Sequence, residues 1–137
     1  MNLESITFCV KNLNKFYIAL NYLYKARKEC AKQTPYEIIN PNFVADLNGV
    51  SNITTVFQIV RIISILSNRL PTKFSCLHKS IALSRILRRF NISHSLKIGF
   101  HAKNASLDPG HAWVCVGNKV FSWGVTIDEF SELRPYT

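Results

Sequence analysis

The chain has 137 residues, enough for one domain with its own hydrophobic core and no covalent staples. With 47% hydrophobic and 18% charged residues, five glycines and five prolines, its composition excludes a disordered or low-complexity protein. The net charge of +9 reads first as a solvated basic surface that aids solubility; the sharper readings are an acidic partner, nucleic acid or anionic lipid.

The first residues, "MNLESITFCVKN", show no charged start followed by a long apolar stretch, so no secretory signal is expected. The four cysteines, Cys9, Cys30, Cys76 and Cys115, therefore read as free thiols of a reducing, cytoplasmic protein. None lies in a CxxC pair, so neither a zinc site of the usual kind nor a cofactor is expected.

Over residues 8–30, Leu13, Phe16, Tyr17, Leu20, Leu23 and Ala26 recur at steps of three and four, predicting a helix closed by the basic run "KARKECAK". Residues 31–51 carry two prolines, several asparagines and a glycine, and are expected to be mostly loop. Helical spacing resumes over 52–68 with Val56, Ile59, Val60, Ile63 and Leu66, and Pro71 ends it. The apolar run inside this stretch is short for a membrane span and is interrupted by Gln58 and Arg61.

A third helix is predicted to start at Ser75, a good N-cap. Leu77, Ile81, Ser84 and Leu87 form its stripe, Leu83, Ile86 and Phe90 widen it, and Asn91 is the stop. After it the period drops to two. "HSLKIGF" at 94–100 alternates, "HAWVCV" at 111–116 is a strand, Gly117-Asn118 is a turn, and "KVFSW" at 119–123 returns as a hairpin. The expected fold is α+β, a single domain over 1–137 with a helical part (1–91) followed by an antiparallel sheet (92–137).

Two residues carry the chemistry. Cys76 falls in the first turn of the third helix, where free backbone N–H groups and the positive end of the dipole favour thiolate, the nucleophilic form. Most free cysteines are merely small buried hydrophobes, so position alone is a weak signal. His111 opens a strand directly after Gly110 and is placed to take the thiol proton and return it to a leaving amine. His78 lies two residues from Cys76 on the same helix and so faces away from it. His94 and His101 have no cue beyond their type. Trp113 and Cys115 share the His111 face, and Trp113 reads as packing.

The order and intervals of "CLHKSIALSRILRRFNI", "LKIGF" and "HAWVCVGNKVF" resemble those of the lasso-peptide leader peptidases, the B-type maturation proteins of the microcin-processing family. The match is good over about residues 70–123 and only general over the N-terminal helices. The resemblance implies a papain- or transglutaminase-like cysteine peptidase core that cleaves the leader from a ribosomally made precursor. It makes Cys76 the nucleophile and His111 the base. It also implies a separate leader-recognition protein and an asparagine-synthetase-like macrolactam cyclase as partners. The family's acid belongs twelve residues after the histidine, where this chain has Trp123 preceded by Ser122.

Asp128 is the favoured substitute acid, Glu129 stands next to it, and Ser122 is a neutral alternative. The competing and favoured structural reading makes Asp128 the N-cap of a short C-terminal helix beginning "DEFSEL". The competing expectation for the whole protein is a catalytically degenerate member of the fold that binds a peptide without cutting it. Transfer of the acyl group, as in a transglutaminase, would use the same thioester. The basic residues show no regular stacking aromatics and no recognised motif, so the charge alone gives little support to nucleic-acid binding.

Overall fold

The structure, a computed structural model, describes residues 2–32, 42–43, 53–101, 111–123 and 130–133, with residues 42–43, 99–101, 111 and 130–133 described through their backbone. Its elements run α1 (Leu3–Lys11), α2 (Leu13–Lys32), β1 (Asn42–Phe43), α3 (Ile53–Arg69), α4 (Cys76–Arg89), β2 (His94–His101), β3 (His111–Val116), β4 (Lys119–Phe121) and β5 (Phe130–Leu133). The expected α+β architecture is present: helices packed on a small antiparallel sheet.

The first helix starts earlier than the periodicity predicts, because the Asn2 side chain accepts the Ser5 N–H at 2.8 Å and caps Leu3. It breaks once, at Asn12. That buried side chain donates to the Phe8 carbonyl at 2.9 Å, competing with the backbone for the acceptor. Helix α3 falls close to its predicted span. Helix α4 ends as expected: Asn91 takes the left-handed conformation (φ 57), and Ile92 N–H reaches back to the Leu87 carbonyl at 2.9 Å. This is the pattern that stops helices at an asparagine.

Strand β2 is the axis of the sheet. On one side β3 pairs with it from Ser95↔Cys115 to Gly99↔His111, and β4 pairs outside β3. The other side is shared by β1, at Ser95 and His94, and β5, from Ile98 to His101. A two-residue turn joins β3 to β4, with Gly117 at φ 58 in the first central position, where hairpins of this length take glycine. Strand β4 stops at Phe121, shorter than predicted.

Two stretches correct the sequence reading. Residues 42–43, placed in loop, form β1. Residues 130–133, inside the segment "DEFSEL" whose alternative reading was a short helix, form strand β5. The open edge of β2 offers these four residues ladder hydrogen bonds that an isolated helical turn would have to replace with a costly nucleus.

The core lies between α2, α3, α4 and one face of the sheet. Leu23, Ile59, Ile62, Ile63, Leu83, Ile86 and Leu87 are fully buried, and Leu96, Val114, Val116 and Phe121 close it from the sheet side. Each such aliphatic side chain contributes about 1.5–3 kcal/mol. Helix α4 is the most enclosed, with Ser80 through Ser84, Ile86 and Leu87 all buried. The Arg85–Glu29 ion pair fastens its outer edge to α2.

Burying α4 also buries two polar groups that must be satisfied. His94 accepts or donates at 2.7 Å to the Ser84 hydroxyl, and its Nδ1 lies 2.8 Å from the Ile92 carbonyl. A carbonyl accepts only, so Nδ1 carries the proton and the neutral ring takes the Ser84 O–H at Nε2. Burial, opposed by the Ile92 hydrogen bond and aided by Arg88, pushes the His94 pKa below the ordinary value of 6.5. The unfolded chain therefore binds more protons than the folded one below that value, and stability falls as pH falls. We expect urea midpoints to be flat from about pH 8 to 7 and to drop by about pH 5.5. His94→Gln, measured by the same titration, should show a smaller drop, and an unchanged slope would rule His94 out as its source.

Candidate active site

Cys76 is the first residue of α4 and is partly exposed. The helix starts there because Ser75 closes a reciprocal cap. Its hydroxyl accepts the His78 N–H at 3.3 Å, while the His78 Nδ1 accepts the Ser75 N–H at 3.1 Å. Glutamate or glutamine usually fills the second role, and here an imidazole does. His78 thus turns back over the cap. Its ring also meets Phe74 edge-on at 6.4 Å. Burial, reinforced by the Arg27 charge, holds its pKa below 6.5, so the ring is neutral as the cap requires.

A polar seam runs along α4 at the four-residue spacing that aligns side chains on one helix face: Cys76, Ser80, Ser84. Ser84 meets His94 at the start of β2, and the fully buried Ser80 hydroxyl donates to the Ala112 carbonyl at 3.0 Å. Ala112 is the second residue of β3 and pairs with Ile98, far along β2 from His94. From Ser84 to Ser80 the seam therefore runs toward the end of the sheet where β3 begins, and Cys76 is its next position. His111 occupies that end, its backbone opposite Gly99. Ser80, one turn after Cys76, is thus bonded to the residue that follows His111 in β3.

The other predicted positions divide. Asp128 and Glu129 lie outside the described residues. His101 ends β2 opposite Phe130. Trp123, at the position where the resemblance sets an acid, is a structural anchor: its Nε1–H donates to the Ser64 hydroxyl of α3 at 3.0 Å, and its ring packs against the core. Trp113 is buried, as a packing residue should be. Sequence reasoning missed the roles of His78 and Ser84. The signal for His78 was a hydrogen-bonding side chain three residues after an N-cap serine; for Ser84 there was none, because its partner is ten residues away across a turn. Among the described residues no group of three or more His, Cys, Asp or Glu is arranged to hold a metal ion. Nor is any helix there long and apolar enough to cross a membrane.

A cysteine thus heads a buried helix that is pinned to an antiparallel sheet in an α+β domain. Residues 44–136, more than half of the chain, match the model of the transglutaminase-like superfamily, and the chain belongs to it. That superfamily includes cysteine peptidases. No curated protein and no solved structure matches the chain.

The four thiols differ in setting. Cys30 is half-buried, and its pKa is raised by burial first and by Glu29 second, only partly offset by Arg85. Cys76 alone heads a helix with an N-cap serine. Under limiting iodoacetamide at neutral pH, peptide mapping should find Cys76 labelled first and Cys30 well behind it. Equal labelling of all four cysteines would remove the case for a nucleophile.

Proposed function

We propose that this chain is a cysteine peptidase that removes the leader from a ribosomally made lasso-peptide precursor in the cytoplasm. The observation that supports the reading is the polar seam: Ser80, one turn on from Cys76, bonds the carbonyl of Ala112, the residue after His111. Superfamily membership supports it, and so does the resemblance of "CLHKSIALSRILRRFNI" and "HAWVCVGNKVF" to the leader peptidases.

In this mechanism His111 takes the Cys76 thiol proton and the sulfur attacks the scissile carbonyl. The tetrahedral intermediate collapses to a thioester as His111 passes the proton to the departing amine of the core peptide. Water, deprotonated by His111, then hydrolyses the thioester and frees the leader. Asp128 is assigned the orienting carboxylate that holds the imidazole in its productive tautomer. A separate leader-recognition protein raises the local concentration of precursor, and an asparagine-synthetase-like cyclase consumes the new α-amine.

A second reading is a peptide-binding member of the same fold that has lost catalysis. It is favoured by one observation, that Trp123 fills the acid position and spends its N–H on Ser64.

The deciding measurement is leader release from a precursor, followed by mass spectrometry with the leader-recognition protein present. Cys76→Ala should abolish release while retaining the wild-type circular dichroism spectrum, and Cys76→Ser should be nearly as inactive. Release by Cys76→Ala at the wild-type rate would sink the peptidase reading.

A separate variant tests the acid. Asp128→Asn should slow the reaction by about two to four orders of magnitude with the fold intact, by analogy with loss of the orienting carboxylate in triads. Unchanged turnover would move the role away from Asp128, toward Ser122 or to a Cys76–His111 dyad.

A further inference from the structure

One side of the α1–α2 arm is apolar and uncovered. Leu3, Ile6, Val10, Leu13 and Tyr17 follow one another in alternating steps of three and four, the spacing of a helix–helix seam, and Tyr24 stands seven residues further on in the same register. Leu3 is 78% exposed, Val10 61%, Leu13 64% and Tyr17 69%. The break at Asn12 does not end the seam. Asn12 N–H still reaches the Phe8 carbonyl and Phe16 N–H the Asn12 carbonyl, so helical spacing carries through.

These residues are not surplus core. The core face of α2 is a different one, with Ala19, Leu23 and Ala26 buried. Helix α1 is held on the body by Phe8, whose ring lies under the Arg61 guanidinium at 4.2 Å and edge-on to Phe16. Singly exposed apolar side chains need no explanation, whereas six in line do. Covering them would bury on the order of 600 Å², close to the roughly 800 Å² each partner gives to a stable interface.

Charge selects the occupant. Residues 3–32 contain six lysines and arginines but only two carboxylates, Glu4 and Glu29, and Glu29 is paired with Arg85. Exposed Lys25, Arg27 and Lys28 follow Tyr24 in α2. Tyr24 itself reaches the Thr72 hydroxyl at 3.3 Å and the Phe74 ring at 5.3 Å, which brings the exposed Lys73 to the same end of the seam. A second copy would set two chains of +9 against each other. A membrane surface calls for a broad apolar face, and this seam is narrow because the core occupies much of the arm.

We propose that the α1–α2 seam docks an acidic amphipathic helix of a partner protein, its apolar residues on Val10, Leu13 and Tyr17 and its carboxylates against the lysines and arginines. The docked helix ends at Tyr24 and Phe74, two residues before Cys76, so the partner stands beside the candidate nucleophile. The inference does not depend on cleavage chemistry, and its test uses the Cys76→Ala chain so that the two fail separately.

The probe is a fluorescein-labelled peptide of about 21 residues with leucine at the seam positions and glutamate beside them. Its own like charges keep it monomeric. Fluorescence anisotropy should show it binding at least about tenfold tighter than a twin with lysine for glutamate, and weakening as salt rises. Val10→Asp with Tyr17→Asp should cost a further tenfold or more while leaving the circular dichroism spectrum and Tm unchanged, since both side chains are exposed. Equal binding of the two peptides, no binding, or indifference to the double variant would overturn the proposal. It would also be overturned by a seam-dependent dimer in sedimentation, or by seam-dependent flotation with vesicles of phosphatidylcholine and phosphatidylglycerol in a three-to-one ratio as the tighter association.

Discussion

The hydrogen bond from the Ser80 hydroxyl to the Ala112 carbonyl is the constraint on which the arrangement turns. Helix α4 is enclosed by α2, α3 and the sheet, so any polar group on it must find a partner inside the protein. Ser80 is fully buried, and its partner is a strand carbonyl 32 residues away in sequence. Leaving either group unpaired would cost about 1–3 kcal/mol, a large part of a domain's net stability. The bond therefore does more than hold the helix down. It permits one axial position and one rotation of α4 against β3, and Ser84 with His94 repeats the restriction one turn further on.

That restriction gives the head of the helix a defined place. The cap at Ser75 ends the helix sharply, so Cys76 is a first helical residue and not part of a frayed turn. His78 contributes as a neutral ring that accepts a backbone N–H, and burial beside Phe74 and the Arg27 charge keep it neutral. Position, cap and protonation state are thus coupled: the apolar packing that buries the imidazole also preserves the hydrogen bond that starts the helix. Trp123 anchors the chain leaving β4 to Ser64 of α3. An acid at that position would lose both the indole packing and that bond.

The rest of the surface divides into two characters. The face of α2 that meets the core is built from small and aliphatic residues at helical spacing, while the adjoining face of α1 and α2 repeats that spacing without being covered. Periodicity alone records that a helix has apolar sides. It does not record which of them the fold will use, because both satisfy the same three- and four-residue steps.

Much of this was determined by sequence. Hydrophobic period and punctuation placed α3, α4 and the β3–β4 hairpin, because in each case local preference and burial agree: Ser75 caps, Asn91 stops, and Gly117 turns. The candidate pair was legible for the same reason, since a cysteine after an N-cap serine and a histidine after a glycine at a strand start are local patterns. Tertiary structure decided what local patterns leave degenerate. Residues 130–133 became a strand because β2 had an open edge, and Asn12 interrupted a periodic helix because its side chain competes for a carbonyl. Ser84 looked like a member of an apolar stripe until His94 came to face it across the turn. Trp123 looked like a vacancy in a triad until Ser64, 59 residues away, took its N–H. Each of these outcomes depends on a partner distant in the chain or on an edge left open by other elements, and such partners exist only once the helices have packed on the sheet.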